Sequence, residues 1–213
     1  MRAINKLAIF GNGLLSGENL KEAKNYDYLI ATDLASLKLI NKGIIPDLAI
    51  GDFDSVSKKD LEFLKRQISN ISAYPSEKNY TDLELAVNKA IKLKPGAIDI
   101  FGVTGTRVDH LLAAVFLLEK IVSSAISAKI IDRNNEIFLV KNSTSLLKSA
   151  DYTFLSLIPL NQEVMVSIKG TKYELANKKI NRGQTIGISN EITGKFCQIT
   201  VHQGILIVIR SKD

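Results

Sequence analysis

Five aspartates carry the chemistry that this sequence offers most clearly. Asp33, Asp52, Asp54, Asp82 and Asp109 each follow, or lie a few residues beyond, a short apolar run typical of a buried parallel strand. In open α/β sheets, ligands bind at the carboxyl ends of the strands, so we expect these acids to converge on one edge of a sheet. Oxygen ligands of this kind suit Mg²⁺, which is usually held by a few carboxylates together with substrate phosphates. The pattern therefore predicts a site for Mg²⁺ and a nucleotide.

The strongest local signal is the segment 51–55, Gly-Asp-Phe-Asp-Ser, in which Asp52 and Asp54 flank one residue and can face a single ion. The same residue types are common in turns, so the segment alone suits both interpretations about equally. Asp82 favours the metal site, because Thr81 and Asp82 open a predicted helix at the same sheet edge. A carboxylate there can also simply stabilise the helix dipole. The polar loop before this helix offers Lys78 for a phosphate, although an ordinary surface lysine is the alternative.

A second feature that suits phosphate is the segment from Gly102 to His110, which joins a strand to a helix. Its backbone N–H groups and the helix N-terminus can cradle an anion, and Arg107 adds a planar fork for phosphate oxygens. The segment is neither a Walker loop nor a dinucleotide-binding fingerprint. Asp109 could instead be only a helix cap, and His110 only a packed side chain. The segment 11–13, Gly-Asn-Gly, predicts no more than a turn at the end of a strand.

Two patterns of predicted secondary structure along the chain provide the elements that must position these residues. Up to about residue 126 strands alternate with helices, which predicts a mainly parallel sheet with helices on both faces. Short strand-like runs punctuated by glycine follow, and they predict an all-β sandwich. We therefore expect an α/β domain over 1–126 and a β domain over 127–213. The predicted helices are 35–41, 58–67, one beginning near 81, and 109–122; the predicted later strands are 152–158, 164–168, 185–188, 196–202 and 205–210.

Composition argues against several functional classes. The 213 residues carry a net charge of +6, but the basic residues form no stripe with interleaved aromatics, so we expect no nucleic-acid partner. Apolar stretches are too short to span a membrane, and the start of the chain lacks a signal-peptide core. A single cysteine, Cys197, excludes an internal disulfide and fits a cytoplasmic location. No convincing nucleophile or zinc pairing is present, which leaves phosphoryl chemistry without a covalent intermediate.

Together these motifs resemble thiamine pyrophosphokinases, which transfer pyrophosphate from ATP to thiamine. The resemblance covers nearly the whole chain in motif order: Asp33, 46–47, 51–55, Lys78, 81–86, 102–110, 170–175, 187–191 and 211–213. It implies an α/β catalytic domain followed by a thiamine-binding β-sandwich domain. It also implies a homodimer in which thiamine binds between the catalytic domain of one subunit and the β domain of the other.

The resemblance further implies roles for individual residues. The catalytic group comprises Asp33, Asp52, Asp54 and Asp82, of which Asp52, Asp54 and Asp82 bind Mg²⁺. Either Asp82 or Asp33 accepts the proton of the thiamine hydroxyl. Contacts with ATP are implied for Lys78, Thr81, Thr104, Gly105, Arg107 and Asp109, and contacts with thiamine for Ser189 and Asn190.

Four residues, at three places in the chain, depart from the family pattern. The family usually has Gly-Gly where Leu34 and Ala35 stand, an acid at Asn79 and an asparagine at Ala114. Lower activity or an altered acceptor is therefore one expectation. Two alternative functions follow from these departures: a pyrophosphokinase for another hydroxymethyl heterocycle such as a pterin, and a non-catalytic sensor of nucleotide or thiamine. The complete acidic set argues against the sensor.

Overall fold

The computed structural model describes residues 3–77 and 79–213, which divide into two compact units, Met1–Arg133 and Asn134–Asp213. The division falls later than the boundary expected after residue 126. The strand Ser127–Ile131 belongs to the first unit, because it pairs in parallel with the strand Ala97–Phe101.

The first unit alternates strands and helices, as the sequence predicts. Its strands are β1 (Lys6–Phe10), β2 (Tyr28–Thr32), β3 (Leu48–Gly51), β4 (Ile71–Ala73), β5 (Ala97–Phe101) and β6 (Ser127–Ile131). Its helices are α1 (Gly17–Glu22, followed by a 3-10 turn Ala23–Asn25), α2 (Asp33–Ile40), α3 (Lys58–Gln67), α4 (Asp82–Lys92) and α5 (Val108–Ser123). The strand order is β4-β3-β2-β1-β5-β6 and the pairings are parallel, which confirms the predicted sheet.

The strand order of this unit reverses at β1. From β1 the chain moves outward through β2, β3 and β4, and it then returns to place β5 on the other side of β1. A reversal of this kind opens a crevice between the loops that follow the two central strands, and ligands of α/β sheets bind there. The loops in question begin at Gly11, after β1, and at Gly102, after β5.

Two hydrophobic clusters pack α2 and α3 against this sheet. One includes Phe10, Leu29, Leu39 and Phe101, and the other includes Phe53 and residues of α3 such as Leu64. The observed bounds of α3 are those predicted, and Ser57 caps the helix by accepting a hydrogen bond from the Asp60 N–H. Helix α2 begins two residues earlier than predicted, at Asp33 instead of Ala35, which places the Asp33 carboxylate in its first turn.

The second unit consists of antiparallel strands. They are β7 (Asn135–Val140), β8 (Ser143–Leu147), β9 (Phe154–Pro159), β10 (Glu163–Lys169), β11 (Leu175–Asn181), β12 (Phe196–Gln203) and β13 (Leu206–Ser211). Strand β13 pairs with β7 and β9, while the second sheet has the order β11-β10-β12-β8. One hydrophobic cluster takes buried side chains from both sets, among them Leu157, Val166, Ile199 and Val208. The predicted β-sandwich is therefore confirmed.

One predicted strand of the second unit is wrong. Residues 185–188 form turns, in which the Ile188 N–H donates to the Thr185 carbonyl at 3.1 Å. The polar strand β11 precedes them, and its Ile180 is fully buried. Among the described residues of both units, helices of the length and apolarity needed to cross a bilayer are absent.

Candidate active site

Three of the five predicted aspartates come together at the carboxyl edge of the parallel sheet. Asp33 follows β2, Asp52 follows β3, and Asp82 is the first residue of α4. One carboxylate oxygen from each of the three lies within 4.8 Å of the others. We call these three residues the acidic cluster. Because its donors are all hard oxygens, the cluster fits a cation such as Mg²⁺.

The carboxylate of Asp33 is fixed by the loops around it. Its Oδ1 atom accepts a hydrogen bond from the Phe53 N–H at 3.1 Å, and its Oδ2 atom accepts one from Asn12 Nδ2 at 3.4 Å. A Cβ atom on Gly51 would lie 1.8 Å from Asp33 Oδ1, so only glycine leaves room for the carboxylate. The backbone is strained here, since Asp33 and Phe53 have φ angles of 33° and 57°.

Burial and negative neighbours make Asp33 hard to ionise. Desolvation is the largest cause, followed by the hydrogen bond with Asp82, and the charges of Asp82 and Asp52 add to it; together they raise the pKa of Asp33 to about 7. The hydrogen bond from the Phe53 N–H lowers this pKa but does not outweigh the burial. An environment that repels a third negative charge is one in which a divalent cation is strongly favoured.

Asp54 lies outside the acidic cluster as found in the described residues. Its side chain is exposed, its N–H donates to Asp52 Oδ1 at 3.2 Å, and its Oδ1 atom accepts from the Ser55 hydroxyl at 3.1 Å. Sequence reasoning expected Asp52, Asp54 and Asp82 as the metal ligands. The structure brings Asp33 to Asp52 and Asp82 instead, and a metal role for Asp54 stays a prediction.

The loops after β1 and β5 form the adjoining part of the site. The Gly11 N–H donates to the Phe101 carbonyl at 2.8 Å, and the Gly13 N–H donates to the Gly102 carbonyl at 2.6 Å. A Cβ atom on Gly13 would lie 2.5 Å from the Thr104 carbonyl oxygen, so the two loops approach more closely than other residues would permit. The predicted turn at 11–13 is thus packed directly against the predicted phosphate loop.

A cleft of about 540 Å³ lies at these loops and reaches the acidic cluster. Its lining combines both glycine loops with the start of α4: Gly11, Asn12, Gly13, Thr32, Asp52, Ser76, Tyr80, Thr81, Asp82, Leu83, Gly102, Val103, Thr104, Gly105, Thr106, Arg107 and His110. This volume is within the range of small-molecule sites. The lining of the cleft includes the carboxylates of Asp52 and Asp82 as well as the loop that leads into α5, a combination suited to a phosphate chain bridged by a cation.

Arg107 and Asp109 form an exposed ion pair at the start of α5. Arg107 Nη2 lies 2.6 Å from Asp109 Oδ2, and Arg107 Nε donates to Asp109 Oδ1 at 3.2 Å. The hydrogen bond raises the pKa of Arg107 and lowers that of Asp109. Thr81, also expected to contact ATP, caps α4 by accepting from the Glu84 N–H at 3.2 Å. Lys78 lies outside the described residues.

In the second unit, the two residues expected to contact thiamine differ from each other in exposure: Ser189 is exposed and Asn190 is buried. Ser189 is exposed, has a φ angle of 56° and donates its N–H to Ser156 Oγ at 3.1 Å. Asn190 is 6% exposed. Its Oδ1 atom accepts from the Tyr173 N–H at 3.0 Å, and its Nδ2 atom donates to the Tyr173 carbonyl at 2.7 Å. Asn190 thus joins two segments, 170–175 and 187–191, that the sequence singled out separately.

Comparison with known proteins identifies the family. The chain matches the model of the thiamin pyrophosphokinase catalytic domain over residues 20–130 and that of the thiamin pyrophosphokinase vitamin B1 binding domain over 143–206. It is 36% identical over 186 residues to a thiamine pyrophosphokinase of Bacillus subtilis. The aligned region covers 86% of this chain and 87% of that protein. The chain belongs to the thiamine pyrophosphokinase family.

Solved structures agree with this membership. The thiamine pyrophosphokinase structure from Bacillus subtilis has a TM-score of 0.88 and 31% identity, covering 98% of this chain and 100% of that one. The structure from Geobacillus thermodenitrificans has a TM-score of 0.84 and 33% identity, covering 98% of each chain. The resemblance and the fold class inferred from the sequence are thereby confirmed. The comparisons favour thiamine pyrophosphokinase over the pterin enzyme and the sensor.

The departures from the thiamine pyrophosphokinase pattern have local explanations at two positions. Leu34 packs against the hydrophobic cluster that contains Phe53 and is not among the residues that line the cleft, so its larger side chain leaves the cleft open. Ala35 is fully buried, and its N–H donates to Asn12 Oδ1 at 2.9 Å. Asn12 is the residue that sequence reasoning missed; a polar side chain between two glycines at a strand end was its only signal.

Proposed function

We propose that this chain transfers the pyrophosphoryl group of ATP to the hydroxyl of thiamine, giving thiamine diphosphate and AMP. Family membership supports the reaction, and the observation that carries it is the acidic cluster beside a cleft that is also lined by the predicted phosphate loop. Neither feature alone would indicate this chemistry, because carboxylates repel phosphates unless a cation lies between them.

We infer that the cation is Mg²⁺. Asp52 and Asp82 belong both to the ligand set expected from the sequence and to the acidic cluster; Asp33 completes the set by geometry and Asp54 by resemblance. Bound there, Mg²⁺ would offset the charge of the phosphates and orient them. The protein contributes a rigid frame, since Asp33 is held by the Phe53 N–H and by Asn12.

The cleft wall formed by the phosphate loop is proposed to bind ATP. Thr104 and Gly105 line the cleft beside the N-terminus of α5, where backbone N–H groups favour negative charge. Arg107 supplies a guanidinium that would exchange its contact with Asp109 for phosphate oxygens. Thr81 and Asp109 would contact the nucleotide from the starts of α4 and α5, with Lys78 from the preceding loop.

In the proposed reaction the thiamine hydroxyl attacks the β-phosphorus of ATP. The new O–P bond forms as the bond from the β-phosphorus to the bridging oxygen of AMP breaks, and AMP leaves with that bond's electron pair. Asp82 or Asp33 would accept the hydroxyl proton. The acids and the loop keep the reacting groups in line, and positioning of this kind accounts for most of the catalysis of phosphoryl transfer.

The β unit is proposed to bind thiamine in a homodimer, with Ser189 and Asn190 of one chain approaching the acidic cluster of the other. Exposure of Ser189 supports a contact with a ligand, whereas the buried amide of Asn190 supports a role in shaping the segment 187–191. We also propose a cytoplasmic location, because the one cysteine, Cys197, is a buried free thiol that forms no disulfide within the chain.

Product analysis tests the reaction. The purified protein with ATP and Mg²⁺ should release AMP in step with loss of thiamine, and a hydroxymethyl pterin should not substitute for thiamine. AMP release in step with loss of the pterin, and not of thiamine, would reject the proposed acceptor. Thiamine binding without AMP release would favour the sensor. Asp54→Asn and Asp33→Asn, assayed beside the exposed-surface control Glu119→Gln, should show which acid completes the metal site.

Mixing two inactive variants tests the shared site. One variant carries Asp54→Asn and the other carries Ser189→Ala with Asn190→Ala. If each pocket uses both chains, hybrid dimers should regain one intact site and part of the activity. Demonstrated subunit exchange without recovery, from parents that are each inactive, would reject the shared pocket.

A further inference from the structure

The side chain of Asn12 uses its amide in two directions at once. Its Oδ1 atom accepts the Ala35 N–H at 2.9 Å, and its Nδ2 atom donates to Asp33 Oδ2 at 3.4 Å. A backbone N–H can bond only to the amide oxygen, so the orientation of the amide is determined. One residue from the loop after β1 thereby contacts both the first turn of α2 and a member of the acidic cluster.

The contact with Ala35 replaces a missing helix cap. The N-cap residue of α2 is Thr32, whose hydroxyl makes no capping bond and instead donates to the Phe10 carbonyl at 3.3 Å. The first N–H groups of a helix need outside partners, and Asn12 supplies one of them from 23 residues away. The strained start of α2, with Asp33 at φ 33°, is therefore held by a distant residue.

A third contact fixes the loop itself. Lys38, one turn along α2 from Ala35, donates from Nζ to the carbonyls of Asn12 and Gly13 at 2.8 and 3.1 Å. On its other side, Gly13 donates its N–H to the Gly102 carbonyl. The loop containing Asn12 thus connects α2, which begins with Asp33, to the loop proposed to bind phosphates.

We propose that Asn12 is a positioning residue. It holds the Asp33 carboxylate in the acidic cluster and sets the distance between this carboxylate and the loop proposed to bind phosphates. The proposal rests on the proposed function, because this distance matters only if the acidic cluster binds a metal and the loop binds the phosphates of ATP. Loss of the amide should let the carboxylate of Asp33 rotate, and the distance between the cation and the phosphate loop would no longer be set.

The test compares Asn12→Ala with Ser57→Ala, a control that removes the cap of α3 without touching the acidic cluster. In Asn12→Ala we expect kcat to fall about tenfold or more, as for loss of a hydrogen bond to a charged group, and the Mg²⁺ concentration for half-maximal activity to rise. The KM for thiamine should stay within about twofold, because Asn12 does not belong to the proposed thiamine segments. Ser57→Ala should lose stability and keep wild-type kinetics.

A second readout needs neither substrate. MnCl₂ added to the nucleotide-free protein should raise the wild-type Tm, and this rise should shrink in Asn12→Ala but not in Ser57→Ala. If Asn12→Ala unfolds more easily yet keeps the wild-type kcat and the full MnCl₂ response, Asn12 is only a helix cap and the proposal is wrong. If wild-type protein releases no AMP from ATP and thiamine, the proposed function fails instead, and the MnCl₂ measurement still tests Asn12.

Asn12→Asp separates the two contacts if the alanine variant does not fold. The aspartate keeps an oxygen for the Ala35 N–H, so the cap of α2 should be retained. It replaces the Nδ2 donor by a second negative oxygen facing Asp33, so kcat should still fall about tenfold or more. Wild-type turnover and MnCl₂ response in Asn12→Asp would overturn the proposal.

Discussion

Replacing Asp33 with asparagine should stabilise the metal-free protein at neutral and alkaline pH while impairing turnover. Asp33 is 4% exposed, and the pKa of its carboxylate is raised from 3.8 to about 7 by burial and by the neighbouring acids. Between these two values the folded protein binds a proton that the unfolded chain has lost. The contribution of Asp33 to the free energy of unfolding is therefore most favourable below pH 4, falls as the pH rises towards 7, and is level above it.

The size of this effect follows from the difference between the two pKa values. About three units, at about 1.4 kcal/mol each, give a loss of about 4 kcal/mol above pH 7. In a chain of 213 residues this corresponds to a change in Tm of about 10 °C. An amide at position 33 can still accept the Phe53 N–H and carries no charge to desolvate, so Asp33→Asn should recover most of the loss.

Thermal unfolding in metal-free buffer from pH 4 to pH 8 measures the effect. We expect wild type and Asp33→Asn to diverge as the pH rises, with the variant more stable at pH 8. The exposed-surface variant Glu119→Gln should follow wild type. MnCl₂ at pH 8 should narrow the gap, because the cation favours the ionised cluster. If Asp33→Asn is less stable than wild type at pH 8 without metal, the carboxylate is a stabilising structural group and the reasoning is refuted.

Three further predictions concern single residues. Gly51→Ala should displace Asp33, since the added Cβ would lie 1.8 Å from its Oδ1 atom; enzyme assays should show a large loss of kcat, and a fully active variant would contradict the packing. Arg107→Lys should lower kcat/KM for ATP with a Tm within about 2 °C of wild type, because its ion pair with Asp109 is exposed, and a large Tm loss with unchanged kinetics would make it structural. Asn190→Ala should destabilise the β unit by about 3 kcal/mol in denaturant unfolding, because it leaves buried hydrogen-bonding groups without partners; unchanged stability would contradict this.

The parallel sheet was predictable because its strands are nearly continuous apolar runs. Strands β1 and β3 bury most of their residues, so their position could be inferred without knowing their neighbours. Strand β11 was missed because it is an edge strand with mostly exposed polar residues, and its place depends on pairing with β10. Residues 185–188 have strand-like types, but the turns that follow β11 determine their conformation.

The five candidate aspartates were predictable from the sequence, whereas which three of them form the acidic cluster was not. Sequence spacing favoured Asp52 with Asp54, because two acids flanking one residue can face one ion. The φ angle of 57° at Phe53, between them, leaves Asp54 exposed while the Phe53 N–H binds Asp33. A left-handed conformation at a phenylalanine has no signal in the sequence, so the grouping of Asp33, instead of Asp54, with Asp52 and Asp82 became visible only in the structure.

Strain, burial and charge are concentrated at one point of this fold, and together they explain why the surrounding frame is so constrained. Asp33 combines a left-handed backbone with a buried, hard-to-ionise carboxylate, each of which is unfavourable in the absence of a ligand. The frame must supply the compensation: a glycine at 51, the N–H of Phe53, and the amide of Asn12. A site built in this way gains most from the cation that removes the repulsion. The same burial and mutual repulsion that would disfavour the three carboxylates without a cation therefore favour the proposed metal-bound state.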